Sequence, residues 1–229
     1  MGANTLGIDA SESNITIATL HASAEPALST TASQSRLTYL NAPAESLLSQ
    51  PKRYDVVCSM EVLEHVDNPS AFLSSCAELL KVCSISNGSH SLLSSSFLLQ
   101  PGGHLFLSTI SRTPLAYALT ILVAEDILGQ VTKGTHTYSK FIKPSELVQF
   151  FWDYRSPQSI DSTNQSHSVS RPWISTPPSS SYLPRLQAEL RGLIYNPLKS
   201  GWHLAPRDTW GALECNYLFW VRKPKDRDV

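Results

Sequence analysis

Apolar residues along this chain fall into two kinds of cluster. Short β-branched or aromatic runs occur at TLGI (5–8), LTYL (37–40), YDVVCS (54–59), HLFLS (104–108), GLIY (192–195) and YLFWV (217–221). Each has the length of one strand, and their near-continuous apolar character suits a sheet covered on both faces. Stretches with helical spacing lie between them. A helix is predicted to start after Asp9 and run over 10–20. Residues 71–81 (AFLSSCAELLK) set Phe72, Leu73, Cys76, Leu79 and Leu80 on a helical period. Thr113 followed by Pro114 is a cap with proline in the first turn, opening a strongly apolar helix over 115–131 with Glu125 and Asp126 in its later part. Pro144 begins another helix through Glu146, Leu147 and Val148. Strands alternating with helices predict an α/β fold.

Two stretches break this pattern. Residues 82–100 (VCSISNGSHSLLSSSFLLQ) form a Ser/Leu mixture without helical period, between Lys81 and the turn Pro101-Gly102-Gly103. Valine codons begin GT and a glutamine codon can end in AG, so the stretch reads either as a translated intron or as a surface loop. Residues 156–184 are rich in Ser, Pro, Thr and Gln. They read as a disordered loop that buries too little apolar surface to order itself. With both taken as inserts, residues 1–229 read as a single domain, and 41% hydrophobic content supports one core. A formal net charge of −1 gives no electrostatic case for binding nucleic acid. The four cysteines, Cys58, Cys76, Cys83 and Cys215, form no CxxC pair and suit free thiols in a reducing compartment. No run approaches the ~20 apolar residues of a membrane span. The first residues read neither as a signal peptide nor as an Arg-rich presequence.

The chemistry concentrates in YDVVCSMEVLEHV (54–66). Ligands of open α/β sheets bind beyond the carboxyl ends of the strands, and this strand ends as three ionisable groups arrive. On a helical turn, Glu61, Glu64 and His65 at i, i+3 and i+4 share one side. Two carboxylates and an imidazole so placed can hold a hard divalent cation such as Mg²⁺. The same acids also suit the positive end of a helix dipole, with His65 a plain surface residue. Asp9, at the tip of its strand, either accepts hydrogen bonds from ribose hydroxyls or caps the helix after it. Met60 reads as a ligand contact or as a core gap-filler. His136 reads as a substrate contact or as a loop residue with structural hydrogen bonds.

EVLEHV after its strand, PGGHLFLSTISR (101–112), KGTHTYSKFIKPSEL (133–147), LGIDASESNI near the start and GLIYNPL near the end together resemble the ubiquinone-biosynthesis O-methyltransferases. The KGTH…KFIKP…EL run is the most specific of these, and the resemblance covers most of the chain outside the two inserts. It implies a Rossmann-like class I S-adenosylmethionine (SAM) methyltransferase fold, a mostly parallel sheet flanked by helices. In that pattern the first strand and the glycine-rich loop lie upstream of Met1, since neither Gly2 nor Gly7 belongs to a GxGxG run. The resemblance also implies SAM as cofactor, with Asp9 at its ribose and Met60 beside it, and Mg²⁺ on Glu61, Glu64 and His65. The implied reaction is O-methylation of lipid-soluble polyprenylated catechol-type intermediates. The implied setting is a multi-enzyme complex at the matrix side of the mitochondrial inner membrane, with the 115–131 helix as a greasy lid in peripheral contact with the bilayer. The catalytic base stays unassigned. The alternatives are another small-molecule SAM methyltransferase and a non-catalytic structural member of a quinone-synthesis assembly.

Overall fold

The computed structural model describes residues 3–25, 36–82, 102–127, 129, 132–157, 171–178, 183–196 and 201–224. They fall into two compact units, Met1–Lys52 and Arg53–Val229. Residues 83–100 of the first predicted insert lie outside the described residues, so neither reading of that insert is tested.

The first unit is one strand–helix–strand crossover. β1 (Thr5–Asp9) pairs in parallel with β2 (Leu37–Asn41), register Thr5↔Leu37 to Asp9↔Asn41, and α1 (Glu12–Ala24) lies between them in sequence. Ser11 caps α1 by accepting from the Asn14 N–H, which satisfies one of the helix's orphan donors. Gly7 is required by its partner: a Cβ there would sit 2.6 Å from the Tyr39 ring.

The second unit carries a five-stranded sheet in the order β3–β4–β7–β5–β6. These are β3 (Val56–Met60), β4 (His104–Ile110), β5 (Ala188–Asn196), β6 (Gly201–Leu204) and β7 (Asn216–Arg222). β3 and β4 are parallel, whereas β7 runs antiparallel to both β4 and β5, and β6 antiparallel to β5. The last two strand runs of the sequence are thus sheet neighbours, and β6 forms within their long connection. Tyr217, Phe219 and Val221 on alternate positions of β7 are fully buried, the two-residue period of a strand turned to a core. α2 (Pro69–Glu78) begins at the cap Asn68 and adds Leu73, Cys76 and Ala77 to the core. Lys223 is buried and donates from Nζ to the Ala77 and Leu80 carbonyls, 3.2 and 2.9 Å away. It thereby adds a buried donor to carbonyls at and just past the end of α2.

Two expectations change here. The 156–184 stretch does not stay out of the core: within 171–178, Trp173 and Ile174 are 1% and 0% exposed. Both donate their N–H to the Phe151 carbonyl at the end of α4 (Pro144–Asp153). Local composition misled because two large apolar residues are enough to pin a short segment onto a preformed surface. The apolar 115–131 stretch opens as α3 (Pro114–Ala116), with Thr113 as cap, and then winds as a π-helix over Tyr117–Ile127. Leu115, Leu119 and Leu122 on it are exposed. No helix among the described residues is long and apolar enough to cross a membrane.

Candidate active site

The carboxyl end of β3 is built against the end of β4. Glu61 follows the strand with a positive φ of 51°, a left-handed turn that few non-glycine residues take. Its N–H donates to both the carbonyl and the hydroxyl of Ser108, which holds the chain in that turn. The backbone then closes a tight turn, His65 N–H to Val62 carbonyl at 2.9 Å, instead of a helix. Glu64 is consequently buried while Glu61 and His65 stay exposed. The three predicted ligands therefore differ in exposure, while the Glu61 charge still acts on both Glu64 and His65. Glu61 Oε2 accepts from Asn216 Nδ2 at 3.2 Å, and Glu64 Oε2 accepts from the buried Thr109 hydroxyl at 2.7 Å. Glu64 Oε1 is buried and finds no hydrogen-bond partner among the described residues. Burial pushes the Glu64 carboxyl above its usual range, with Glu61 adding to the rise and the Thr109 bond and His136 opposing it. Among the described residues no three His, Cys, Asp or Glu side chains are grouped to hold a metal. As folded, the donor set does not fit a magnesium ion.

Met60 ends β3 and is 46% exposed, which removes the core gap-filler reading. Asp9, in the first unit, ends β1. Its Oδ1 accepts the Ser11 N–H at 2.7 Å and its Oδ2 accepts Asn14 Nδ2 at 3.1 Å. The helix-start role is the one those bonds perform.

A cavity of about 800 Å³ opens beside Glu61. Its walls are mainly apolar, with Ile110, Leu115, Leu119, Leu193, Ile194 and Trp202 among the lining residues. Glu61, His136, Cys215 and Asn216 are among its few polar or reactive groups. Cys215 Sγ donates to Asn216 Oδ1 at 3.3 Å, and Asn216 in turn donates to Glu61. Burial raises the Cys215 thiol's pKa, so the thiol stays protonated. Pockets of this size, apolar with a few convergent polar groups, are the usual form of a small-molecule site.

His136 is the residue the sequence left open and the structure places. Glu125, 3% exposed, accepts the His136 ring Nδ1–H at 2.6 Å, the His136 backbone N–H at 2.8 Å and the Gly134 N–H at 2.9 Å. Burial alone would raise the Glu125 carboxyl, but those bonds outweigh it and hold the group below its usual value. The His136 ring lies 5.8 Å from the His65 ring and 6.2 Å from that of Phe141. Burial and the proximity of His136 lower the pKa of His65. Sequence reasoning missed Glu125, Thr109 and Asn216 as site residues. A carboxylate inside an apolar helix was the one visible signal, since such a group must find donors.

The fold and this site together define a class. A SAM-dependent methyltransferase of Thermotoga maritima, described as a possible histamine N-methyltransferase, superposes with a TM-score of 0.51 over 96% of this chain and 73% of its own, at 13% identity. Residues 1–85 match a family described as a methyltransferase domain. The architecture is the Rossmann-like methyltransferase fold. Over 226 residues the chain is 36% identical to the mitochondrial ubiquinone biosynthesis O-methyltransferase of Schizosaccharomyces pombe, covering 98% of this chain and 62% of that protein. It is 33% identical over 227 residues to the ubiquinone biosynthesis O-methyltransferase of Cereibacter sphaeroides, covering 98% and 67%. It is also 33% identical over 226 residues to the mitochondrial relative of Arabidopsis thaliana, covering 99% and 52%. The chain belongs to the ubiquinone biosynthesis O-methyltransferase family. It spans about half to two thirds of the length of these relatives.

Proposed function

We propose that this chain carries the acceptor side of a SAM-dependent O-methyltransferase that methylates lipid-soluble, polyprenylated catechol-type intermediates of ubiquinone biosynthesis. The observation that carries the reading is the 800 Å³ cavity, with apolar walls suited to an isoprenoid tail and a few polar groups suited to an aromatic hydroxyl. Family membership supports the same substrate class. SAM supplies an electrophilic methyl on its sulfonium, and the rate of such a transfer comes largely from holding nucleophile and methyl in line. Met60, exposed at the end of β3, and Asp9, at the tip of β1, are each proposed as a SAM contact on the family resemblance, and the strand-end position of each supports this. Glu61, Glu64 and His65 are not gathered as a group of ligands, so the proposed transfer uses no magnesium ion.

The names of the yeast and plant relatives support a mitochondrial location. Peripheral contact with the inner membrane at its matrix side belongs to the same proposal, supported by the exposed Leu115, Leu119 and Leu122. Membership of a multi-enzyme ubiquinone-synthesis complex rests on the family resemblance alone. The test is calorimetric titration of the full chain with SAM, followed by methyl transfer from labelled SAM to a prenylated catechol. Saturable binding with methyl ether product is the expected result. Binding without transfer to any catechol would overturn the substrate class, and no binding would overturn the enzymatic reading.

A further inference from the structure

Nothing in the family resemblance assigned a catalytic base, and the acceptor cavity contains one arrangement suited to that work. His136 lies in the loop before α4 and is one of the residues lining the cavity. The Nδ1 edge of its ring is fixed. Nδ1 is 2.6 Å from Glu125 Oε1, and the same carboxylate oxygen takes the His136 backbone N–H at 2.8 Å. One buried anion thus clamps both the ring and the backbone of a single residue, so the imidazole has little freedom to swing. Its second oxygen takes the Gly134 N–H, anchoring the loop on the other side of Thr135.

The clamp decides the tautomer. An ionised carboxylate only accepts, so Nδ1 must carry its proton, and Nε2 of the neutral ring is left with a lone pair. Nε2 has no hydrogen-bond partner among the described residues. A nucleophile's base oriented by a third group is the arrangement by which enzymes activate weak hydroxyl nucleophiles.

We propose that His136 Nε2 takes the proton of the substrate's phenolic hydroxyl as the methyl is transferred, with Glu125 as its positioning residue. This rests on the O-methyltransferase reading above. The phenol oxygen forms the bond to the methyl carbon, and the carbon–sulfur bond breaks with its electron pair going to sulfur. The sulfonium becomes a neutral thioether. The phenolic proton passes to Nε2, and the resulting imidazolium sits against the Glu125 carboxylate until the proton leaves to solvent. Such proton transfer is worth about 10²–10⁴-fold in rate.

The test uses the full chain with SAM and two acceptors: catechol, whose hydroxyl is protonated at neutral pH, and a nitro-substituted catechol, already ionised there. The ionised acceptor needs no base. His136→Gln should lower kcat on catechol about 100-fold and leave kcat on the nitrocatechol within about twofold, with SAM binding unchanged. Glu125→Gln should show the same divergence at smaller size, because the ring would lose its fixed tautomer and not its chemistry. Both variants are read as the ratio of the two acceptors, so a uniform loss from imperfect folding cancels. An equal fall on both acceptors, or no fall on either, would overturn the base assignment while leaving the enzyme reading intact. An unsubstituted chain inert on both acceptors would overturn the O-methyltransferase reading and this proposal with it. If neither variant folds, His136→Asn is read by the same ratio: a divergence between the two acceptors supports His136, and an equal fall on both refutes it.

Discussion

Two groups of acids and histidines flank the cavity, and they behave in opposite ways. Glu61, Glu64 and His65 are crowded within five residues of sequence and yet form no group of three ligands: two are exposed, and one is buried against Thr109. Glu125 and His136 are eleven residues apart and form a 2.6 Å bond. The difference comes from the backbone. Helical spacing brings i, i+3 and i+4 together only if the residues between them are helical. Here Glu61 takes φ +51° and the next residues close a tight turn, so the periodicity has no helix to act on. Glu125 and His136 meet because a buried carboxylate must recruit donors, and the loop from Gly134 to His136 supplies three N–H groups.

The contrast can be broken from its stronger side first. Glu125→Ala strips the acceptor from two backbone amides and the imidazole. Since the Gly134–His136 loop is partly exposed and water can replace some of these bonds, the expected cost is about 1–3 kcal/mol. That corresponds to a melting temperature lower by roughly 2–4 °C per kcal/mol for a chain of this size. Hydrogen exchange should accelerate at the Gly134 and His136 amides; protection unchanged from wild type would mean the clamp does not hold the loop.

A smaller effect is expected at Glu64, and it depends on pH. Its carboxyl is raised chiefly by burial, with Glu61 adding and Thr109 and His136 opposing. A carboxyl raised in the folded state favours folding when protonated. That benefit is complete below the ordinary glutamate range, near pH 4, and is lost as pH climbs through the raised value. Glu64→Gln cannot ionise, so at pH 7 it should be more stable than the parent by on the order of 1 kcal/mol. The gap should close as pH falls towards 4. Urea melts at the two pH values measure it, and a gap independent of pH would show that Glu64 is not ionised at neutral pH. The smallest change is expected from Glu61→Gly. It should relieve the positive φ by somewhat less than the roughly 1 kcal/mol a left-handed residue stores, because the bond from Asn216 is lost. A fall in thermal stability would mean that bond outweighs the strain.

Much of the architecture was legible in the chain. Each of the six apolar runs became a strand or part of one, because alternating and buried strands leave a pattern that side chains cannot disguise. Thr113-Pro114 and the Lys143-Pro144 start of α4 were also readable, since caps and proline act within one turn. Burial of Trp173 and Ile174 was not, because composition averaged over 156–184 hides two residues that find a complementary surface. The mixed direction of the second sheet was not readable either, because strand order is set by which distant edges meet.

The sequence by itself determined the family, the strands, the helix starts and the chemical types available at the β3 end. It determined these because local propensity, period and motif act over a few residues. Only the tertiary structure decided which of those groups work together. It buried Glu64 against Thr109 and left Glu61 and His65 exposed, on a turn opened by one left-handed residue held by Ser108. It also brought Glu125 to His136 at the wall of an apolar cavity, because a carboxylate inside that wall is stable only where backbone and imidazole donors converge on it.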